Sequence, residues 1–202
     1  MASKNSAMVK WYRYQKSAPI VKDDIAPKII EHLAKNMESY FQCINRPERT
    51  RFVKKELVKL GHKLGFRVYA NGLTREDLKE IGVEFVNREW LFDLHWFTNG
   101  VEPYSVQSLP LVVECEWNPR RKGDSKTLYS GIKYDFQKLL IANADLRLMI
   151  FKIAKEQELE LLGEYFNNSI QNYQHLNNGS KFLFIAYDLN MLCFHYAMIF
   201  KE

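Results

Sequence analysis

The chain has 202 residues, 47% of them hydrophobic and 26% charged, enough apolar content for one domain with a sizeable core and too much for a disordered segment. A net charge of +5 suits a polyanionic partner without requiring one. No apolar run reaches the roughly 18 residues that span a bilayer, residues 1–8 lack the apolar stretch of a secretory signal, and Cys43, Cys115 and Cys193 are too scattered for a disulfide or zinc framework. The expectation is a cytoplasmic protein with no membrane partner.

Residues 1–22 are polar and basic, with Trp11, Tyr12 and Tyr14 set among Lys10, Arg13 and Lys16. Such a mixture can stack on bases and hold phosphates, but the plainer expectation is an arm whose aromatics pack on the domain. Asp23 and Asp24 start a helix with Pro27 in its first turn. Ile25, Ile29, Ile30, Leu33, Met37 and Phe41 continue it at helical spacing, so residues 24–44 read as one amphipathic helix. Asn45-Arg46-Pro47 interrupts it. Phe52, Val53, Leu57, Leu60 and Leu64 then mark a second helix over 47–64, closed by Gly65. A short strand over 66–70 turns at Asn71-Gly72, and Thr74 caps a short helix through Ile81 with Glu76 and Asp77 in its first turn. The division that follows is an N-terminal arm and helix over 1–47 and a main domain over 48–202, together one compact unit.

Two apolar stretches, 90–97 and 109–117, read as strands, each carrying acid near one end. Side chains two apart share a face of a strand. Val112, Glu114 and Glu116 therefore oppose Leu111, Val113, Cys115 and Trp117, and Leu91, Asp93, His95 and Phe97 oppose Trp90, Phe92, Leu94 and Trp96. The connection, with its Thr98-Asn99-Gly100 turn, is short enough to make the two strands antiparallel neighbours. A buried carboxylate needs a cation, a donor network or a proton. Neither strand supplies an arginine or lysine beside Asp93, Glu114 and Glu116, so the expected partner is a divalent metal. A merely solvated strand end is the weaker reading for the Glu pair, because apolar residues precede it and Trp117 follows. His95 reads as hydrogen-bonded structure before it reads as a proton carrier.

Beyond Trp117 lies a loop with Arg120, Arg121, Lys122 and Lys126, which phosphates would have to pass to reach the acids. Ile132, Phe136, Leu139, Leu140 and Asn143 mark a helix over 131–144, and residues 146–151 form an apolar strand. Strand, helix and strand make a crossover, which predicts a parallel pair. A helix over 156–174 follows, then a hairpin of strands over 182–187 and 191–200. No internal repeat or low-complexity tract is present.

This order of helix, strand, Asp93 strand, Glu-x-Glu strand, crossover helix and strand resembles the core of the PD-(D/E)XK nuclease superfamily, the fold of the type II restriction endonucleases, over about residues 48–152. The resemblance implies an α/β fold: a mixed β-sheet flanked by helices, with an αβββαβ core. Asp93 takes the first place of the motif and Glu114 the second, while Glu116 stands where a lysine is usual. Some members carry Glu-x-Glu there, and in others the lysine has moved to the next helix, where Lys133 and Lys138 are candidates with Gln137 as a polar neighbour. Glu56 resembles the acidic residue that many members aim at the metals from the first core helix. What the resemblance implies is a divalent-metal-dependent endonuclease that hydrolyses phosphodiester bonds of double-stranded DNA. Asp93 and Glu114 would hold Mg²⁺ or Mn²⁺, with Glu116 sharing a second ion or acting as base, and Arg120, Arg121, Lys122 and Lys126 would position the backbone. A homodimer would suit double-strand cutting. The departure at Glu116 leaves an alternative, a catalytically inactive nucleic-acid-binding module of the same fold. A third reading is an unrelated mixed α/β protein whose carboxylates hold no metal.

Overall fold

The computed structural model describes residues 8–15, 21–84, 91–124 and 126–202. Its longest strand is β4 (Val106–Glu116), which lies inside the sheet and pairs antiparallel with β3 (Leu94–Asn99) on one side and parallel with β5 (Leu146–Ile153) on the other. β2 (Arg67–Ala70) continues antiparallel beyond β3. On the other flank β6 (Lys181–Asp188) runs parallel to β5, and β7 (Cys193–Phe200) and β1 (Tyr12–Arg13) close the sheet antiparallel. The result is an α/β fold with one seven-stranded mixed sheet in the order β1-β7-β6-β5-β4-β3-β2. The antiparallel neighbours, the crossover and the C-terminal hairpin all fall where the sequence pattern puts them.

Alternation along the strands divides the core into two layers. Leu111, Val113, Leu148 and Ile150 face α1 (Ala26–Lys35) and α3 (Arg46–Lys63), which bury Ile29, Ile30, Leu33, Val53 and Leu57 against them. Val112, Met149, Phe151 and Phe184 face α5 (Ser130–Ile141) and α6 (Gln157–Asn172), which contribute Ile132, Phe136, Leu139, Leu162 and Phe166. The helix preceding β2 and the helix leaving β4 therefore cover opposite faces of the sheet.

The helix expected over 24–44 is two helices, α1 and α2 (Met37–Gln42), with Asn36 at the joint. The Asn36 side chain donates to the His32 carbonyl, a local bond that competes with helical continuation. Asn45 caps α3 by accepting from the Glu48 amide. Thr74 caps α4 (Arg75–Glu80) in a capping box with Asp77, the third residue of the helix. The N-terminal aromatics pack: Trp11 meets Phe151 and Phe184 edge-on, Tyr12 stacks on Tyr196, and Tyr14 on Phe194. α3 approaches β3 closely at Gly61, where a Cβ atom would lie 2.6 Å from Trp96 Nε1. The buried Trp96 indole donates to the Leu57 carbonyl at 3.1 Å.

The strand expected over 90–97 begins at Leu94, which leaves Asp93 just ahead of β3 rather than within it. Trp90 and Lys16 fall outside the described residues. Among those described, no helix is long and apolar enough to cross a membrane.

Candidate active site

Glu114 lies on β4 between Val113 and Cys115, and alternation turns it to the α5 side of the sheet. It is 1% exposed. Its Oε2 accepts from Lys138 Nζ at 3.0 Å, and Oε1 is buried without a hydrogen-bond partner among the described residues. Lys138 is also 2.8 Å from Asp135 Oδ1, one turn earlier on α5. α5 is docked tightly on the strand end. A Cβ atom at Gly131 would lie 2.5 Å from the Asn118 carbonyl and 3.4 Å from the Glu116 side chain, so only glycine lets the first turn approach this far.

Asp93 is held from the opposite side. Lys54 Nζ, on α3, donates to Asp93 Oδ1 at 2.9 Å, and the Cys115 amide donates to Oδ2 at 2.9 Å. Lys54 is 3% exposed and also donates to the Asn71 side chain, which fixes it between strand and helix. Glu116 is half-buried. Its Oε1 accepts from the Asn118 amide at 2.6 Å, and its carboxyl neighbours that of Asp135.

Burial, reinforced by the charge of Asp93 and only partly offset by Lys138, pushes the Glu114 carboxyl up to about 8. Burial also raises Glu116, against the Asn118 amide bond that lowers it, and Asp135 adds to the rise. Burial works against the Lys138 cation, but the bonds to Asp135 and Glu114 overcome it and hold the amine above its ordinary value. With Asp135 beside it, Lys138 keeps its charge while Glu114 keeps a proton at neutral pH.

The fold thus supplies what the strands lack. The expectation of no basic residue beside the carboxylates is corrected: Lys54 arrives from α3 and Lys138 from α5, each at ion-pair distance. Of the two lysines proposed on the crossover helix, Lys138 reaches Glu114, whereas the Lys133 amine lies 4.6 Å from the Tyr165 ring centroid. Gln137 is exposed. Glu56 is not brought to the group. It lies under α1, paired with His32 at 2.9 Å and Lys59 at 2.6 Å; burial raises its carboxyl, but those two partners bring it below the usual range. His95 is fully buried, stacked on Tyr69 at 4.6 Å, and burial lowers it to about 4, which leaves the ring neutral at pH 7. Arg120, Arg121, Lys122 and Lys126 are exposed. Arg121 lies 3.7 Å over the Tyr134 ring of α5, and its amide donates to Ser130 Oγ, so the start of the loop is tied to the crossover helix.

Sequence reasoning missed Lys54 and Asp135. The signal for Lys54 was helical phase, since it lies beside Val53 on the buried face with Leu57 and Val58. Asp135 and Lys138 were visible as an i, i+3 pair on the crossover helix. Among the described residues no three His, Cys, Asp or Glu side chains converge as a ready-made metal cage. Mg²⁺ does not require one, because it is commonly held by one or two carboxylates together with water and substrate phosphate. The hard oxygens of Asp93 and Glu114, with Glu114 Oε1 unpartnered, fit that pattern. No family model, no curated protein and no solved structure matches this chain.

Proposed function

We propose that this protein is a divalent-metal-dependent endonuclease that hydrolyses phosphodiester bonds of DNA, with a restriction-endonuclease-like core of the PD-(D/E)XK type. The observation that carries the reading is the pairing of Glu114 with Lys138 at the end of β4, with Asp93 beside them. It offers an acid, a second acid and a lysine although the strand itself reads Glu-x-Glu. The element order α3-β2-α4-β3-β4-α5-β5, with its antiparallel β2-β3-β4 and parallel last pair, agrees with an αβββαβ core into which the short α4 is inserted.

In this reading Asp93 and Glu114 would hold Mg²⁺ or Mn²⁺, which would supply Lewis acidity. Lys138, positioned by Asp135, provides the positive charge that meets charge developing on the phosphate. Glu116, whose raised carboxyl makes it a stronger base once deprotonated, would take a proton from the attacking water. Arg120, Arg121, Lys122 and Lys126 position the backbone.

One observation favours the second reading, an inactive DNA-binding module: without any metal, Lys54 already neutralises Asp93 and a proton neutralises Glu114 beside Lys138. The experiment that decides is cleavage of supercoiled plasmid and variously modified phage DNAs with Mg²⁺ or Mn²⁺ by the wild type, Glu114→Gln and Lys138→Met. Metal-dependent cutting lost in both variants supports the hydrolase. Equal activity in all three removes this site from the reaction, and tight DNA binding without cutting selects the binding module.

A further inference from the structure

The ends of β4 and β5 carry a second group of polar side chains, on the face away from Glu114. Lys152 follows Phe151 on β5, so alternation sends it to the side that holds Trp117 and Tyr187. Tyr40 of α2 stacks on Tyr187 at 3.8 Å and lies 5.7 Å from Trp117, and Trp117 Nε1 donates to Thr50 Oγ1 at 2.8 Å. These contacts clamp the start of α3 over the corner where Lys152 emerges, and they bring Arg46 and Arg49 with it.

Burial and then the charges of Arg46 and Arg49 hold the Lys152 amine below its ordinary value, and Glu158 offsets them only in part. None of the three cations makes an ion pair among the described residues. Arg46 is exposed, whereas Arg49 is half-buried, donates to the Cys43 carbonyl at 3.2 Å and has a buried Nε with no hydrogen-bond partner among the described residues. Like charges gathered with only Glu158 to oppose them repel one another, and a bound anion relieves that repulsion. The group also reaches the carboxylates. Arg46 donates to the Asn118 side-chain oxygen, and the Asn118 amide donates to Glu116 Oε1 at 2.6 Å.

We propose that Arg46, Arg49 and Lys152 form a second phosphate-binding site, which grips the backbone of duplex DNA on the opposite side of the β4 end from Arg120, Arg121, Lys122 and Lys126. The inference rests on the DNA-hydrolase reading and adds to it how the strand is held. With Arg121 seated on the α5 face and Arg46 on the α3 face, the carboxylates lie between two backbone contacts, and these fix the register of the strand across them.

The test is equilibrium binding of a fluorescent duplex across a series of salt concentrations, with chelator present so that no DNA is cut. The proteins are the wild type, Arg46→Gln/Lys152→Gln, Arg120→Gln/Arg121→Gln and Lys63→Gln, the last at an exposed position near the far end of α3. Each lost phosphate contact lowers the slope of log affinity against log salt by about 0.9. The Arg46/Lys152 variant is therefore expected to lose a slope of about 2 and to bind at least roughly tenfold more weakly at low salt, while Lys63→Gln behaves as wild type. Arg46→Gln alone, at an exposed position, is expected to keep the wild-type melting temperature and lose a slope of about 1. If Arg120→Gln/Arg121→Gln weakens binding and Arg46→Gln/Lys152→Gln does not, the second site is refuted and the DNA reading stands. If the wild type shows no salt-sensitive binding at all, both fall.

Discussion

Glu114→Gln is expected to stabilise the protein at alkaline pH and to leave it nearly unchanged at acid pH. The folded carboxyl titrates at about 8 against an unperturbed 4.5, so between those values the folded state holds a proton that the unfolded chain releases. Stability therefore falls as pH rises through that window and levels off above about 8. The whole shift corresponds to a loss on the order of 5 kcal/mol, at about 1.4 kcal/mol per pH unit. Glu114 is 1% exposed, so solvent screens little of this. Glutamine has the same shape and no charge to bury, and its oxygen can still accept from Lys138. The assay is urea unfolding of both proteins in metal-free buffer at pH 5.5, 7 and 8.5. The difference between them is expected to widen by about 3 kcal/mol from the lowest pH to the highest, with other titrating groups cancelling because both proteins share them. A difference that stays flat across that range would falsify the reasoning, since it would mean that Lys138 keeps Glu114 ionised throughout.

Three further outcomes follow from the same contacts. Asp93→Asn leaves Lys54 buried and without its carboxylate, so a destabilisation of about 3 kcal/mol is expected by calorimetry, and lost activity in that variant says less about catalysis than in Glu114→Gln. Gly61→Ala drives a methyl into the Trp96 indole and is expected to lose about 1–3 kcal/mol together with a change in tryptophan emission; an unchanged melting temperature would disprove the close approach of α3 to β3. Cleavage at limiting Mg²⁺ is expected to rise about tenfold per pH unit and to level off near pH 8, where Glu114 no longer needs to lose a proton before binding the ion. A profile flat from pH 6 to 8 would remove Glu114 as a ligand.

Strand periodicity is the part of this structure most open to reading from sequence, because a two-residue repeat fixes which side chains share a face before any partner is known. That is why Glu114 could be located, and why β4 and β5 could be paired through a crossover helix. Helix phase is harder to read. Lys133 and Lys138 are five residues apart and so differ by roughly 140° around the axis; which one points at the strand depends on the stripe of Ile132, Phe136 and Leu139 that docks. Lys54 was hidden for another reason. It stands in a run rich in basic residues that reads as a solvated face, yet Val53, Leu57 and Val58 bury its side of the helix. Glu56 shows the converse. It sits on the expected helix, but α1 covers it and His32 and Lys59 take up its charge, and these are tertiary contacts on which the order of elements is silent.

The two lysines also define what a metal must do to enter. On the Asp93 side an arriving cation competes with Lys54, and at Glu114 it competes with a proton. Lys54 is pinned by Asn71 and has nowhere to withdraw, so the exchange at Glu114 is the easier one. Proton release therefore reports where the ion binds. Calorimetric titration with Mn²⁺ at pH 7, repeated in buffers of different ionisation enthalpy, counts the protons released per ion. With Glu114 titrating near 8, about nine-tenths of a proton should leave with each ion bound there, and Glu114→Gln should abolish both the heat and the proton. An ion that binds the wild type tightly while releasing no proton would have to be held elsewhere. The carboxylates at the end of β4 would then be a neutral structural network, and the binding-module reading would be the better one.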